Sequence, residues 1–292
     1  MDEYILNYNT FEKKAIYIFN IGHGGLGDYI KYLSYALHIS IKNNIRLYIS
    51  INHSIDNYIK LKYPQMYINI NNVNNKKEII NIDNLIQIIN DDSKNIKHTE
   101  TQEIYYYVYS SAFYTSANIF EICNQFNLNE IFYFTDEIKQ NALDNMSQFI
   151  EKNTDVSKPK ILKNITKYIS IHLRMGDHFL ETDKQFVVCK NDVRNFDETK
   201  LYTFIEQNSD KNIMFFCDNK EFKIKLKQKY NFIHITDFDI GHVSFANTSD
   251  LLCKNCITEF YMLSQSETIY ILTCSGFSLT AANFKNIECK II

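Results

Sequence analysis

Ala15-Ile-Tyr-Ile-Phe-Asn-Ile-Gly-His-Gly-Gly-Leu-Gly-Asp28 decides the fold. An apolar, β-branched and aromatic run that stops at glycine reads as a buried strand, Ala15 to Ile21. From Asp28 to Ile41 the apolar residues Ile30, Leu33, Tyr35, Ala36, Leu37 and Ile41 recur at helical spacing. Arg46 to Ile51 then reads as a second strand. Strand, glycine turn, helix, strand is the opening of a doubly wound α/β domain. Such a turn aims backbone N–H groups and the positive helix end at an anion. No Lys-Ser/Thr pair follows the last glycine, so this is not a P-loop. The second strand ends Ile49-Ser-Ile-Asn52, without the acid a dinucleotide ribose requires. The alternative is a tight turn with close strand–helix packing.

The chain has seven glycines. Gly22, Gly24, Gly25 and Gly27 crowd into this turn, Gly176 lies in His172-Leu-Arg-Met-Gly-Asp177, and Gly276 lies in Thr273-Cys-Ser-Gly-Phe-Ser278. Gly241 alone stands outside. The pattern points to a diphosphate held between two α/β domains.

The length of 292 residues suits two modest domains or one large one. Apolar residues make up 45% and charged residues 22%, an ordinary soluble composition. Abundant Ile, Asn, Lys and Tyr, with Trp 0 and Pro 2, fit the coding bias of an AT-rich genome. The formal net charge of −3 is interspersed, without the basic stripe of a nucleic-acid binder, so nucleic acid is not an expected partner. No run of about 18 apolar residues suggests a membrane span. The start lacks the basic and apolar regions of a signal peptide. Seven scattered cysteines read as reduced thiols. A cytoplasmic location is expected.

Residues 67–103 turn polar and Asn-rich around a short apolar stretch, Leu85 to Ile89, and read as an irregular or inserted region. Ile104 to Ser110 reads as a strand. Asp136 to Glu151 reads as a helix capped by Thr135 or Asp136, with Ile138, Leu143, Met146 and Ile150 on one face. The polar stretch from Asn153 to Lys163, with Pro159, is the expected boundary between domains at 1–155 and 160–292. Beyond it, strands at 168–172, 212–216, 232–235 and 268–272 alternate with helices at 198–206, 220–230 and 251–265. That is a second parallel-sheet domain.

Three further constellations carry chemistry. In Ser170-Ile-His-Leu-Arg-Met-Gly-Asp177, at a strand end, alternation points His172 and Arg174 the same way. A guanidinium there suits a phosphate, and Asp177 either orients it or contacts ligand; the alternative is a structural Arg–Asp pair. Phe215-Phe-Cys-Asp-Asn219 ends another strand; Asp218 accepts hydrogen bonds from a base or ribose, or Asp218 or Asn219 caps the next helix. Leu272 to Ala282 is a strand, a small polar turn and a helix start, where Ser275 and Ser278 can cradle phosphate, cap the helix, or both. Cys253-Lys-Asn-Cys256 is a lone CxxC without a second pair at zinc spacing, so no metal is expected.

In this order the motifs resemble the fucosyltransferase superfamily, comprising α-1,2-fucosyltransferases and their protein O- and α-1,6-fucosyltransferase relatives. Gly24-Gly-Leu-Gly-Asp-Tyr-Ile-Lys-Tyr-Leu-Ser-Tyr-Ala36 is similar to the family's GGLGNQ…QYA segment, and Ile169 to Asp177 to its HxRxGD strand. Phe216-Cys-Asp-Asn219 resembles the FSDD strand end, and Ser275-Gly-Phe-Ser-Leu-Thr-Ala-Ala282 the SxFSWWxA turn. The resemblance implies the type-B glycosyltransferase fold: α/β, two Rossmann-like doubly wound domains facing across a cleft. GDP-fucose is then held chiefly by the C-terminal domain, with Gly24, Gly25 and Gly27 on the other side. Arg174 binds the β-phosphate, His172 and Asp218 hold the guanosine end, and Ser275, Phe277 and Ser278 line the phosphate and base pocket. Transfer to a glycan or other hydroxyl acceptor is inverting and metal-independent. Asp28 is the leading base, followed by Glu181 and Asp177.

Asp28 replaces the family's asparagine, Met175 a second arginine common in α-1,2 enzymes, and Leu279-Thr280 paired tryptophans. These departures bear on the acceptor and on the sugar. Because GGLGD also resembles starch and glycogen synthases and heptosyltransferases, two other readings stay open. One is a type-B glycosyltransferase using another nucleotide sugar; the other is an inactive nucleotide- or glycan-binding module.

Overall fold

A computed structural model describes residues 1–95, 103–114, 116, 118–147, 167–179, 192–244 and 248–292. The chain divides into two compact units. Met1–Asp56 with Leu61–Phe126 forms the first, and Asn57–Lys60 with Asn127–Ile292 the second.

In chain order the first stretch holds α1 (Asp2–Asn7), β1 (Lys13–Asn20), α2 (Leu26–Lys42), β2 (Ile45–Asn52), β3 (Ile59–Leu61), β4 (Lys76–Ile79), α3 (Leu85–Asn95), β5 (Tyr105–Tyr109) and α4 (Ile119–Cys123). Strands β2-β1-β5-β4, in that order, make one parallel sheet. Ala15 through Phe19 are all fully buried, as expected of an inner parallel strand covered on both faces. The expected strand–turn–helix–strand opening is present.

Residues 67–103 are a correction to the sequence reading, because they contain β4 and α3 rather than an irregular insertion. Strand β4 reads Lys-Lys-Glu-Ile at the sheet edge and buries only Ile79, so it shows no alternation. Charged edge strands hide in this way. Ile82, Leu85 and Ile89 bury the inner side of the turn and helix that follow.

The second stretch holds α5 (Leu128–Ile131), β6 (Phe132–Phe134), α6 (Asp136–Asn145), β7 (Ile169–Leu173), α7 (Glu198–Gln207), β8 (Ile213–Cys217), α8 (Lys220–Lys229), β9 (His234–Ile235), α9 (Asp250–Leu263), β10 (Thr268–Ile271), α10 (Gly276–Asn283) and β11 (Glu288–Ile291). Its parallel sheet runs β11-β10-β7-β8-β9. From the other edge, the strands come third, second, first, fourth and fifth in chain order, the half-Rossmann arrangement. The order reverses between β7 and β10, so the crevice at a topological switch point opens above their carboxyl ends.

The units part at residues 126 and 127, whereas the sequence reading kept residues up to 155 in the first domain. Helix α6 packs on α9: Asn141 Nδ2 donates to Thr258 Oγ1 at 3.0 Å, and Lys254 pairs with Glu137 at 2.6 Å. Tyr58 Oη donates to Asp250 at 2.5 Å, which fixes the small 57–60 segment in the second unit. The expected boundary stretch, 153–163, lies outside the described residues.

One charge is deeply buried. Lys223 Nζ on α8, 1% exposed, donates to Thr236 Oγ1, Phe238 O and Glu259 Oε1, each at 3.1 Å. Removing one partner strands a buried charge, whereas replacing both by apolar groups does not. Lys223→Met should therefore cost about 3–5 kcal/mol, and adding Glu259→Leu should restore much of it, read from denaturant midpoints. Gly241, outside the other glycine clusters, is explained by packing: a Cβ there would come within 2.9 Å of Leu252 and Thr248 side chains. Among the described residues no helix is long and apolar enough to cross a membrane.

Candidate active site

Strand β7 delivers His172 and then Arg174 to the switch point, and β10 delivers Thr273 beside them. Thr273 Oγ1 accepts the Arg174 N–H at 3.1 Å and donates to the Arg174 carbonyl at 2.7 Å. One hydroxyl thus closes the seam between the two strand ends.

The Arg174 guanidinium is held on both sides. Nη1 donates to Asp218 Oδ2 at 2.8 Å, Nη2 donates to Asp177 Oδ1, and Asp192 Oδ2 lies 4.0 Å from Nη2. Asp218 also accepts the backbone N–H groups of Met175 at 2.7 Å and Gly176 at 2.9 Å. It shapes the turn as well as pairing with the arginine. Capping falls to its neighbour: Asn219 accepts the Phe222 N–H at 2.8 Å and starts α8. Burial, with Asp192 and Asp218 close by, pushes the Asp177 carboxyl above its ordinary value despite Arg174.

Gly176 has φ +124°, and a Cβ there would sit 1.7 Å from the Asp192 carbonyl oxygen. The turn is therefore pressed against the 192–194 segment. Asp192 accepts the Asp177 N–H at 3.2 Å, and the Arg194 N–H donates to Met175 O at 2.8 Å. The Arg194 side chain reaches Asp192 Oδ1 through Nε at 3.2 Å and Cys274 O through Nη1 at 2.6 Å.

His172 is buried beneath α10. Its Nδ1 lies 2.5 Å from Ser278 Oγ, and its ring stacks on Phe277 with centroids 5.5 Å apart. Burial, then the Arg174 and Arg194 charges, pull its pKa down to about 3, so the imidazole is neutral at physiological pH. Ser275 stands at the N-cap of α10 without a side-chain cap bond. The first intrahelical bond runs from Leu279 N–H to Ser275 O at 3.2 Å. The N–H groups of Gly276, Phe277 and Ser278 precede it at the positive helix end.

His172, Arg174, Asp177, Asp218, Ser275, Phe277 and Ser278 thus all belong to one constellation in the second unit. The glycine loop is a feature of the first unit. Gly24 has φ +124°, Gly25 caps α2, and Gly27 is buried in its first turn. Asp28, also in that turn, accepts the Gly25 N–H at 3.0 Å and pairs with Lys31 at 2.8 Å. The helix start therefore carries its own anion. Glu181 lies outside the described residues. Sequence reasoning missed Asp192 and Arg194, which fall in no strand or helix pattern, and quoted Thr273 in the 272–282 turn without giving it a role. One signal was available for Arg194: arginine supplies three of the 31 cationic side chains, at Arg46, Arg174 and Arg194.

No protein-family model matches the sequence, and no curated protein matches it. Solved structures do match in fold. POFUT1 in complex with GDP superposes with a TM-score of 0.58 at 9% identity, over 96% of this chain and 99% of that one. POFUT1 is also solved with GDP-fucose. The α-1,6-fucosyltransferase NodZ, co-crystallised with GDP, gives 0.52 at 10% identity, over 92% and 91%. A FUT1 variant from Arabidopsis thaliana with GDP gives 0.53 at 10% identity, over 99% and 73%. The chain is an α/β protein with the type-B glycosyltransferase fold of these fucosyltransferases.

Proposed function

We propose that this chain is an inverting, metal-independent glycosyltransferase that moves fucose from GDP-fucose to a hydroxyl of a glycan or other acceptor. The observation that carries the reading is the convergence of Arg174, His172 and the α10 start at the β7–β10 switch point, on a fold shared with fucosyltransferases solved with GDP. In this reading the diphosphate leaves toward Arg174 and the Gly276–Ser278 N–H groups. Fixed donors aimed at developing negative charge stabilise such a transition state without reorganising, the part a divalent ion plays elsewhere. Neutral His172, held by Ser278 and Phe277, is a hydrogen-bonding group on the nucleotide side rather than a cation. Asp218, fully engaged by the turn, acts on the donor through Arg174.

A base must take the acceptor proton as the sugar–phosphate bond breaks. Asp28 is the first candidate, and serving as base requires it to exchange its Lys31 contact for the acceptor hydroxyl. Asp177 and Glu181 follow. Asp177, paired with Arg174, is better suited to orienting that arginine.

Thermal unfolding against a nucleotide panel tests the donor. GDP at about 100 times its Kd should stabilise the chain by about 2.7 kcal/mol, and UDP and ADP at the same concentration by much less. A larger shift with UDP or ADP moves the donor to another nucleotide sugar. A GDP shift with neither transfer nor donor hydrolysis makes the chain a binding module.

A further inference from the structure

Lysine supplies nearly all the cations of this chain, so its few arginines stand where a guanidinium does what an ammonium cannot. Arg46 shows the rule away from any site: its fork donates to Tyr8 O at 2.9 Å and to Asn9 O. The other two arginines meet at the β7–β10 switch point. Arg174 is largely spent within the protein. Its two terminal nitrogens face Asp218 and Asp177, Asp192 stands nearby, and only 13% of the side chain is exposed. Three carboxylates around one guanidinium leave that corner negative, and a diphosphate needs a further cation there.

Arg194 has the right disposition. Its side chain is 35% exposed, and Nε and Nη1 are anchored on Asp192 and Cys274 O. Nη2 makes no hydrogen bond to a described residue. Cys274 directly precedes Ser275, so the anchor sets the guanidinium beside the start of α10. Ser275 is itself 6% exposed, and its hydroxyl caps nothing. The Ser275 hydroxyl, which makes no cap bond, the N–H groups of a helix start and the Arg194 guanidinium are three donors of the kind an anion takes.

We infer that Arg194 is a second diphosphate contact of this site, a specificity residue that favours nucleoside diphosphates over monophosphates. The inference rests on the donor reading above. Arg174 orders the turn and meets the phosphate from the strand side; Arg194 meets it from the α10 side.

Calorimetric titration of GDP and GMP into the full chain and its Arg194→Met and Arg194→Lys variants tests this. Arg194→Met should weaken GDP by about 10- to 50-fold and GMP by less than about 3-fold. Arg194→Lys should fall between, keeping the charge and losing the fork. Equal weakening of GDP and GMP, or GDP affinity unchanged in both variants, overturns the inference. If Arg194→Met melts early, Arg194→Lys carries the comparison alone, and a GDP/GMP ratio equal to wild type overturns it. Wild-type chain that binds no GDP counts against the donor reading. The same comparison with UDP and UMP then decides Arg194, and an unchanged UDP/UMP ratio in the variants overturns it.

Discussion

On the proposed donor reading, Arg174→Met should lower turnover by about 10²–10³ and destabilise the second unit by about 3–5 kcal/mol. The two losses share one cause. Asp177 and Asp218 are each less than one-tenth exposed, and Arg174 is the cation both touch. Without it the Asp177 carboxyl keeps only the Arg194 charge against Asp192 and Asp218, and protonation becomes its route to relief. Asp177 already lies above its ordinary value. In the variant the Asp177 carboxyl holds its proton more tightly folded than unfolded, so the variant gains relative stability as pH falls and loses it as pH rises. Urea midpoints of wild type and variant at pH 5 and pH 8 check this, the gap being wider at pH 8. A gap that is constant or narrows toward pH 8 assigns Arg174 no part in compensating these carboxylates. A folded Arg174→Met with wild-type transfer rates removes it from the chemistry.

Gly176→Ala should cost at least about 3 kcal/mol and abolish the site. Two penalties add. A φ of +124° is strained for any residue with a Cβ, and here the Cβ would overlap the Asp192 carbonyl, a backbone atom with no rotamer to escape into. Gly24 provides the control. It has the same φ, yet its Cβ would meet Asp28 Cβ and Oδ2 at 2.8 Å, a milder overlap than 1.7 Å from a main-chain oxygen. Gly24→Ala should therefore cost less than Gly176→Ala, about 1–3 kcal/mol for the backbone plus a smaller steric cost against Asp28. Comparable denaturation midpoints for the two variants would mean that the 174–177 turn is not pinned against residues 192–194.

The parts of the molecule legible in the sequence are those where local pattern and tertiary role coincide. Ala15 to Phe19 is apolar throughout because β1 is inner and parallel, and the glycines after it mark where the chain must turn. His172 and Arg174 share a side of an extended segment, so their convergence followed from alternation alone. Asp218 was legible as a polar residue at a strand end, but its engagement with Arg174 depends on β7 and β8 lying side by side, which spacing does not encode. Arg194 and the role of Thr273 were hidden for the same reason, since the two residues reach the turn from segments 20 and 99 residues away from Arg174 in sequence numbering. Strand β4 was hidden by its own edge: three charged residues and one buried isoleucine carry no period to read.

The bond that Thr273 makes to both backbone groups of Arg174 spans 99 residues of chain. Contacts of such separation carry a large loop-closure entropy and form late, after the local helices and hairpins that cost less to close. The β7–β10 seam is thus among the last parts of the second unit to assemble. A nascent chain still short of Thr273 has its arginine but no finished place for it, so competence at this crevice waits on synthesis past Thr273 and on the closing of this seam.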